Sequence, residues 1–189
     1  MPLKTLLHIV IILFPVSEIL LAILKRADKS ASTRGDKGSF LIVWSIIIII
    51  IAVDSFCNWH PVAELPLSRT ACEATALGLL LVGLAIRWIS ILMLGKMFTV
   101  NVSIQRDHVL YQRGFYKYVR HPSYTGLLIM FLGLAIDHGT WIDVAFIMIP
   151  ITAALFYRIN KEEEALIGKF GKQYEEYAAR TKRLIPGIV

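Results

Sequence analysis

Two polar stretches interrupt a chain otherwise rich in apolar residues. The first is "KYVRHPSYTG", Lys117 to Gly126, immediately before the apolar run "LLIMFLGLAI". Pro122 disfavours helical geometry at His121 and suits the first position of a following helix. Backbone donors ahead of that helix would be free to hold an acidic or polar group, with Ser123 and Tyr124 adding hydroxyls. A topological explanation competes, in which Arg120 is a positive anchor and Tyr124 a residue of an aromatic belt.

The second stretch holds Arg158, Glu162 and Glu163. Arg158 and Glu162 are i, i+4 neighbours if the segment is helical; alone they would be an ordinary surface ion pair, worth little. The two stretches lie at the distal ends of two consecutive apolar segments joined by "DHGT". An antiparallel helical hairpin would bring those ends together. Guanidinium, imidazole, hydroxyl and carboxylate groups would then share one pocket at the edge of an apolar region.

The elements that must position this pocket follow from hydropathy. A helix needs roughly 20 apolar residues to cross a hydrocarbon core of about 30 Å. The sequence predicts about five transmembrane helices, near Thr5–Leu24, Phe40–Cys57, Ala71–Gly95, Tyr124–Ile136 and Trp141–Tyr157. The fourth is short and extends backward toward the HPSY turn, forming the helix 4–helix 5 hairpin. The first has a long apolar run with no small-residue cleavage pattern after it, unlike a signal peptide. After Tyr157, Leu166, Phe170, Tyr174 and Tyr177 recur at helical spacing among charges. This predicts a cytoplasmic amphipathic C-terminal helix, bent near Gly168 or Gly171 and ended by Pro186 and Gly187.

The fold class expected is therefore an all-α integral membrane protein, a single domain over 1–189 whose motif-bearing half is about 94–189. Composition agrees: 56% of the 189 residues are hydrophobic, and the mean hydropathy is +0.62, above the usual apolar share of soluble domains. The net charge of +6 does not imply nucleic acid, because the basic residues flank apolar segments rather than forming one patch. Segments 25–39, 96–122 and 158–189 carry 17 Lys and Arg, against two on the opposite side. The positive-inside rule then puts the amino terminus outside and the carboxyl terminus and the polar pocket on the cytoplasmic side, with anionic membrane lipid as a further attraction.

Other polar residues have plainer readings. Cys57 and Cys72 form no zinc or CxxC spacing; a disulfide is conceivable, two buried free thiols the favoured state, and no metal site is expected. Glu18 and Arg87, inside predicted spans, read as a structural pair between helices rather than a transport path. Asp54 and Glu73 are expected near the outer interface, solvated, and His8, His60 and His138 at surfaces. Ala76, Gly78, Gly83 and Ala85 read as helix-packing positions.

At these residues the sequence resembles the isoprenylcysteine carboxyl methyltransferase family, which is related to the phospholipid N-methyltransferases. The resemblance runs through "LGKMFTVNV", "HVLYQRGFYKYVRHPSYTG" and "RINKEEEALIGKFGKQYEEY", about the carboxyl-terminal half. It implies S-adenosylmethionine as methyl donor, S-adenosylhomocysteine as product, and a lipophilic prenylcysteine-type substrate entering from the bilayer. Carried over by position, Gln105, His108, Val109, Leu110, Tyr111, Tyr116, His121, Pro122, Ser123, Tyr124 and Glu162 look like cofactor contacts. Arg158 matches the arginine that faces the substrate and is the catalytic candidate. The chain looks like a minimal form, with fewer spans than eukaryotic members. Two other readings stand beside this one. Another lipid acceptor, such as phosphatidylethanolamine, would need a base, for which His121, Glu163 or Tyr124 would serve. A non-catalytic transporter or scaffold would bind no donor.

Overall fold

The computed structural model describes residues 2–24, 37–56, 63–98 and 109–188. They form helices α1 (Leu3–Leu24), α2 (Lys37–Phe56), α3 (Arg69–Leu94), α4 (Pro122–His138), α5 (Trp141–Phe170) and α6 (Lys172–Arg180), and no strand occurs among them. The five segments expected as spans fall in α1 to α5, except that Gly95 lies just past the end of α3 and Cys57 lies outside the described residues. Leu3–Leu21, Arg69–Leu94 and Trp141–Phe170 are long and apolar enough to cross a membrane. α4 has 17 residues, a length of only about 25 Å at 1.5 Å per residue.

The core is one apolar cluster drawn from four helices. Leu7 and Phe14 of α1 meet Leu77 and Leu80 of α3, Met130 and Phe131 of α4, and Ile151 and Leu155 of α5. Phe14 packs edge-on against Phe131, with ring centroids 5.6 Å apart. Outward, Ile12, Ile23, Leu41, Ile48, Leu92 and Ile149 are exposed. Apolar residues on the outside and satisfied backbone within helices are what a hydrocarbon solvent requires.

The most extensive contact is between α3 and α4, and it depends on missing side chains. A Cβ on Gly83 would lie 2.6 Å from the Gly126 carbonyl oxygen, and one on Gly126 would lie 2.6 Å from the Gly83 carbonyl oxygen. Seven residues further along α4, a Cβ on Gly133 would meet the Ala76 carbonyl oxygen at 3.0 Å. Small residues let two backbones approach closely in an apolar medium, where dispersion and packing drive association. Ala76 and Gly83 are thus packing positions as expected. Gly78 has open space around it and Ala85 is exposed, so that part of the expectation is corrected.

The hairpin turn is closed locally. Gly139 takes a left-handed conformation (φ +86°) at the end of α4. Thr140 caps α5 by accepting from the Asp143 backbone nitrogen at 3.1 Å, and its hydroxyl donates back to the Asp143 carboxylate. Nearby, Arg69 bonds Glu73 at 3.1 Å and Asp137 at 2.9 Å. Glu73 is therefore buried and paired, not solvated; Asp54 has no described side chain, and His60 lies outside the described residues.

At the other end, α5 runs unbroken through Gly168 to Phe170. The bend comes at Gly171 (φ +51°), a conformation that costs glycine little, and α6 follows. Tyr174 and Tyr177 turn inward from α6, and the helix ends at Arg180, six residues before Pro186. The segment after it runs beside residues 118–121, with a parallel bridge between Val119 and Lys182.

Candidate active site

The open end of the hairpin is assembled from residues far apart in sequence. Pro122 occupies the first position of α4, and His121 before it has non-helical geometry (φ −126°, ψ 56°), as the steric effect of proline requires. The backbone donors here are not free, contrary to expectation. The Arg120 nitrogen donates to the Lys182 carbonyl at 2.7 Å, and the His121 nitrogen to the Arg183 carbonyl at 2.9 Å. The Thr125 hydroxyl donates to the Leu184 carbonyl at 2.7 Å. The segment after α6 therefore fixes the RHPSY backbone, and ligand contacts there fall to side chains.

Glu162 and Glu163 are adjacent but differently surrounded. Glu163 accepts from Arg120 Nε at 2.8 Å and from Arg183 Nε and Nη2 at 3.0 and 2.7 Å. His121 Nε2 lies 3.3 Å from it. A carboxylate beside two guanidiniums is acceptor-only, so that ring nitrogen carries the hydrogen. Arg120 also reaches the Ala178 carbonyl at 2.9 Å and the Thr181 carbonyl. Arg120 is a partly buried structural partner rather than only a topology anchor. Glu162, by contrast, has a side chain 34% exposed. It accepts from the Tyr124 hydroxyl at 2.9 Å, with His121 Nδ1 3.8 Å away.

Tyr124 joins the two motifs. Its hydroxyl donates to Glu162 and accepts from Arg158 Nε at 2.7 Å. Its ring stacks on His121, with centroids 5.7 Å apart, and the Arg158 guanidinium lies 5.9 Å from its centroid. Arg158, His121, Tyr124 and Glu162 are thus brought together as the hairpin predicted.

Arg158 and Tyr124 also line a cavity whose walls are mostly apolar, including Phe14, Val43, Trp44, Ile47, Phe131, Ile151 and Leu155. Its other polar lining is Glu18 and Arg87. These form a two-pronged ion pair, Arg87 Nε and Nη2 each donating to a Glu18 carboxylate oxygen. Arg87 Nη1 further donates to the Ser123 hydroxyl and carbonyl, both at 3.3 Å. The pairing of Glu18 with Arg87 matches the structural role expected, and it anchors the start of α4 to α1 and α3.

The remaining expected contacts spread outward. Tyr116 is buried, donates to the Ser90 carbonyl at 3.3 Å and receives the Tyr177 hydroxyl on its own carbonyl at 2.7 Å. Tyr111 packs edge-on against it at 5.6 Å. Pro122 and Ser123 are buried, and Leu110 is partly so; Val109 is 65% exposed. Gln105 and His108 lie outside the described residues, as does Cys57; Cys72 is a buried free thiol. Burial pushes the phenol of Tyr177 up to about 12 and also raises those of Tyr116 and Tyr174, so these hydroxyls remain donors at neutral pH. The clamp by Arg183 was not read from the sequence, which offers there only one more basic residue in "RTKRL".

Apolar helices with apolar side chains facing outward define an all-helical integral membrane protein, with a polar pocket at the open end of the hairpin beside an apolar cavity. Residues 76–168 match the isoprenylcysteine carboxyl methyltransferase (ICMT) family. Protein-S-isoprenylcysteine O-methyltransferase of Schizosaccharomyces pombe is 34% identical over 118 residues, covering 61% of this chain and 50% of that protein. Protein-S-isoprenylcysteine O-methyltransferase B of Arabidopsis thaliana is 33% identical over 114 residues, 59% of this chain and 58% of that one. The solved structure of a eukaryotic intramembrane Ras methyltransferase of the same family superposes with a TM-score of 0.59 at 24% identity, over 95% of this chain and 64% of that chain. Over its motif-bearing half the chain is thus similar to the isoprenylcysteine carboxyl methyltransferase family, and the solved structure shares its fold. The chain spans about half the length of the fission-yeast relative.

Proposed function

We propose that the chain is an S-adenosylmethionine-dependent methyltransferase acting on the terminal carboxylate of a prenylated cysteine. The observation that carries this reading is Arg158: a buried guanidinium lining an apolar cavity and joined through one tyrosine hydroxyl to the partly exposed carboxylate of Glu162. A lipid-soluble acceptor with an anionic end suits the cavity and its guanidinium. A water-soluble donor with charges of both signs suits the mixed groups around Glu162.

The residues present fit the donor. Glu162 offers a carboxylate for its ammonium or ribose hydroxyls, while His121, Tyr124 and Tyr116 offer aromatic faces and polar edges. Tyr111, Leu110 and Val109, with Gln105 and His108 outside the described residues, complete the proposed contacts on one side, and Pro122 and Ser123 form the floor. When bound, S-adenosylmethionine supplies a methyl group made electrophilic by its sulfonium.

The protein's own task is then positional. A carboxylate acceptor is already ionised near neutral pH, so no general base is needed, and His121 is engaged with Glu163 through Nε2. Arg158 holds the acceptor carboxylate, a geometry that guanidinium groups favour. Orientation of that kind can lower a barrier by about 7–11 kcal/mol, and the apolar walls exclude water. In the proposed topology the amino terminus lies outside, the carboxyl terminus and the site face the cytoplasm, and residues 1–189 work as one unit around the motif-bearing half at about 94–189.

The test is methyl transfer in detergent or liposomes from labelled S-adenosylmethionine to N-acetyl-S-farnesylcysteine, with phosphatidylethanolamine as a second acceptor. A base-labile methyl ester on the farnesylcysteine is the expected product. Label appearing only on the ethanolamine lipid would overturn the acceptor, and no transfer or donor binding in folded protein would overturn the enzyme reading.

A further inference from the structure

Glu18 stands where the packing pattern calls for an apolar residue. Leu7, Val10, Phe14 and Leu21 of α1 are buried, and their spacing marks one inward face at helical periodicity. Glu18, four residues after Phe14 and three before Leu21, lies on that face. Its side chain is 14% exposed and that of its partner Arg87 is 7% exposed. Anchoring α4 is not a sufficient reason for the pair. Apolar residues of the same volume often stabilise a fold as well as a buried ion pair, and charge within a spanning helix is costly.

The cavity supplies another reason. Glu18, Arg87, Tyr124 and Arg158 all line it. Its two guanidiniums are tied to consecutive residues at the start of α4. Arg87 Nη1 donates to the Ser123 hydroxyl and carbonyl at 3.3 Å, and Arg158 Nε donates to the Tyr124 hydroxyl at 2.7 Å. The anionic end of a lipid entering this cavity meets two fork-shaped cations, and a guanidinium can hold a carboxylate with two parallel bonds. A carboxylate seated on Arg87 instead of Arg158 would be out of line with the groups around Glu162. Glu18 occupies the Nε and Nη2 edge of Arg87 with both of its oxygens, and Nη1 is engaged by Ser123. Both edges of Arg87 are thus taken, and its charge is matched.

We propose that Glu18 is a specificity-determining residue of the acceptor site, which masks Arg87 and so directs the carboxylate end of a lipid acceptor to Arg158. The proposal rests on the function put forward above and gives the ion pair a task that a purely structural anchor would not have.

The test measures binding of two probes to the detergent-solubilised protein: N-acetyl-S-farnesylcysteine, which carries the carboxylate, and its methyl ester, which does not. In Glu18→Gln, Arg87 keeps its charge and loses its mask, so the acid should gain about 5- to 30-fold in affinity relative to the ester. In methyl transfer, kcat and KM for the acid should fall together, because acceptor held by Arg87 is bound but not aligned. Glu18→Gln combined with Arg87→Gln should return the acid-to-ester affinity ratio to the wild-type value, since any loosening of α4 weakens both probes alike. This double variant leaves neither charge of the pair unmatched, and it provides the check where Glu18→Gln is unstable. An unchanged ratio in Glu18→Gln would overturn the proposal. So would a lost preference for the acid in the double variant, which would make Arg87 itself the acceptor's partner. If the wild-type protein binds neither probe and transfers no methyl group, the proposed function falls and takes this inference with it. Binding and transfer by the wild type with an unmoved ratio in Glu18→Gln remove only the inference.

Discussion

The two ends of the α4–α5 hairpin handle polar groups in opposite ways. At the turn, Thr140 and Asp143 satisfy each other three residues apart, and Arg69 bridges Glu73 and Asp137. At the open end, hydrogen bonds join Tyr124 to Glu162, Arg120 to Glu163 and Arg183 to Glu163, spanning 38, 43 and 20 residues. Polar capacity also remains there: Glu162 is partly exposed and Tyr174 lacks a described partner. The polar groups at the turn pair with one another, whereas at the open end Glu162 keeps an exposed edge. Sequence distance does not separate the two ends, since the Arg69–Asp137 bond at the turn spans 68 residues; the polar capacity left at the open end does.

The contrast can be broken at several points. Arg158→Ala should have the largest catalytic effect, lowering kcat/KM for the acceptor about 100-fold or more because orientation is lost. Its affinity for S-adenosylhomocysteine should stay near the wild-type value; parallel kinetics and titration separate the two, and a loss of donor binding would reassign the residue. Glu163→Ala should act mainly on folding. It leaves the partly buried Arg120 without its carboxylate, a loss of about 1–3 kcal/mol for charge-assisted hydrogen bonds, read by chemical or thermal unfolding. A variant as stable as the wild type would mean the clamp is not structural. At the turn, Thr140→Ala should cost about 1 kcal/mol through the lost helix cap while turnover per folded molecule is unchanged. Reduced turnover there would erase the distinction between the two ends.

Much of this architecture was legible in the sequence. Hydropathy located the helices, the short turn paired α4 with α5, and the pairing brought His121 and Tyr124 to Arg158 and Glu162. Glu18 and Arg87 were readable as partners because two opposite charges within apolar spans have few other ways to be satisfied. Helix faces were less legible. Ala76 and Gly83 are seven residues apart, and so are Gly78 and Ala85, so each pair shares a face at 3.6 residues per turn. The two faces point in different directions, and only the position of α4 decides which one packs. Chain return was least legible. No pattern in "RTKRLIPGI" marks Arg183 and Lys182 as returning to Glu163 and the RHPSY backbone, because that pairing depends on the bend at Gly171 and the docking of α6. The same gap explains why the backbone donors near His121 were expected to be free.

If the open end is a ligand site and the turn a structural closure, the difference should show first at the less satisfied carboxylate, Glu162. Isothermal titration of S-adenosylhomocysteine into detergent-solubilised wild-type protein and the Glu162→Ala variant compares the two. The wild type should bind, with affinity about tenfold weaker in the variant, as expected for one lost charge-assisted contact of about 1.4 kcal/mol. Equal affinity in a folded Glu162→Ala protein would contradict the ligand role of the open end.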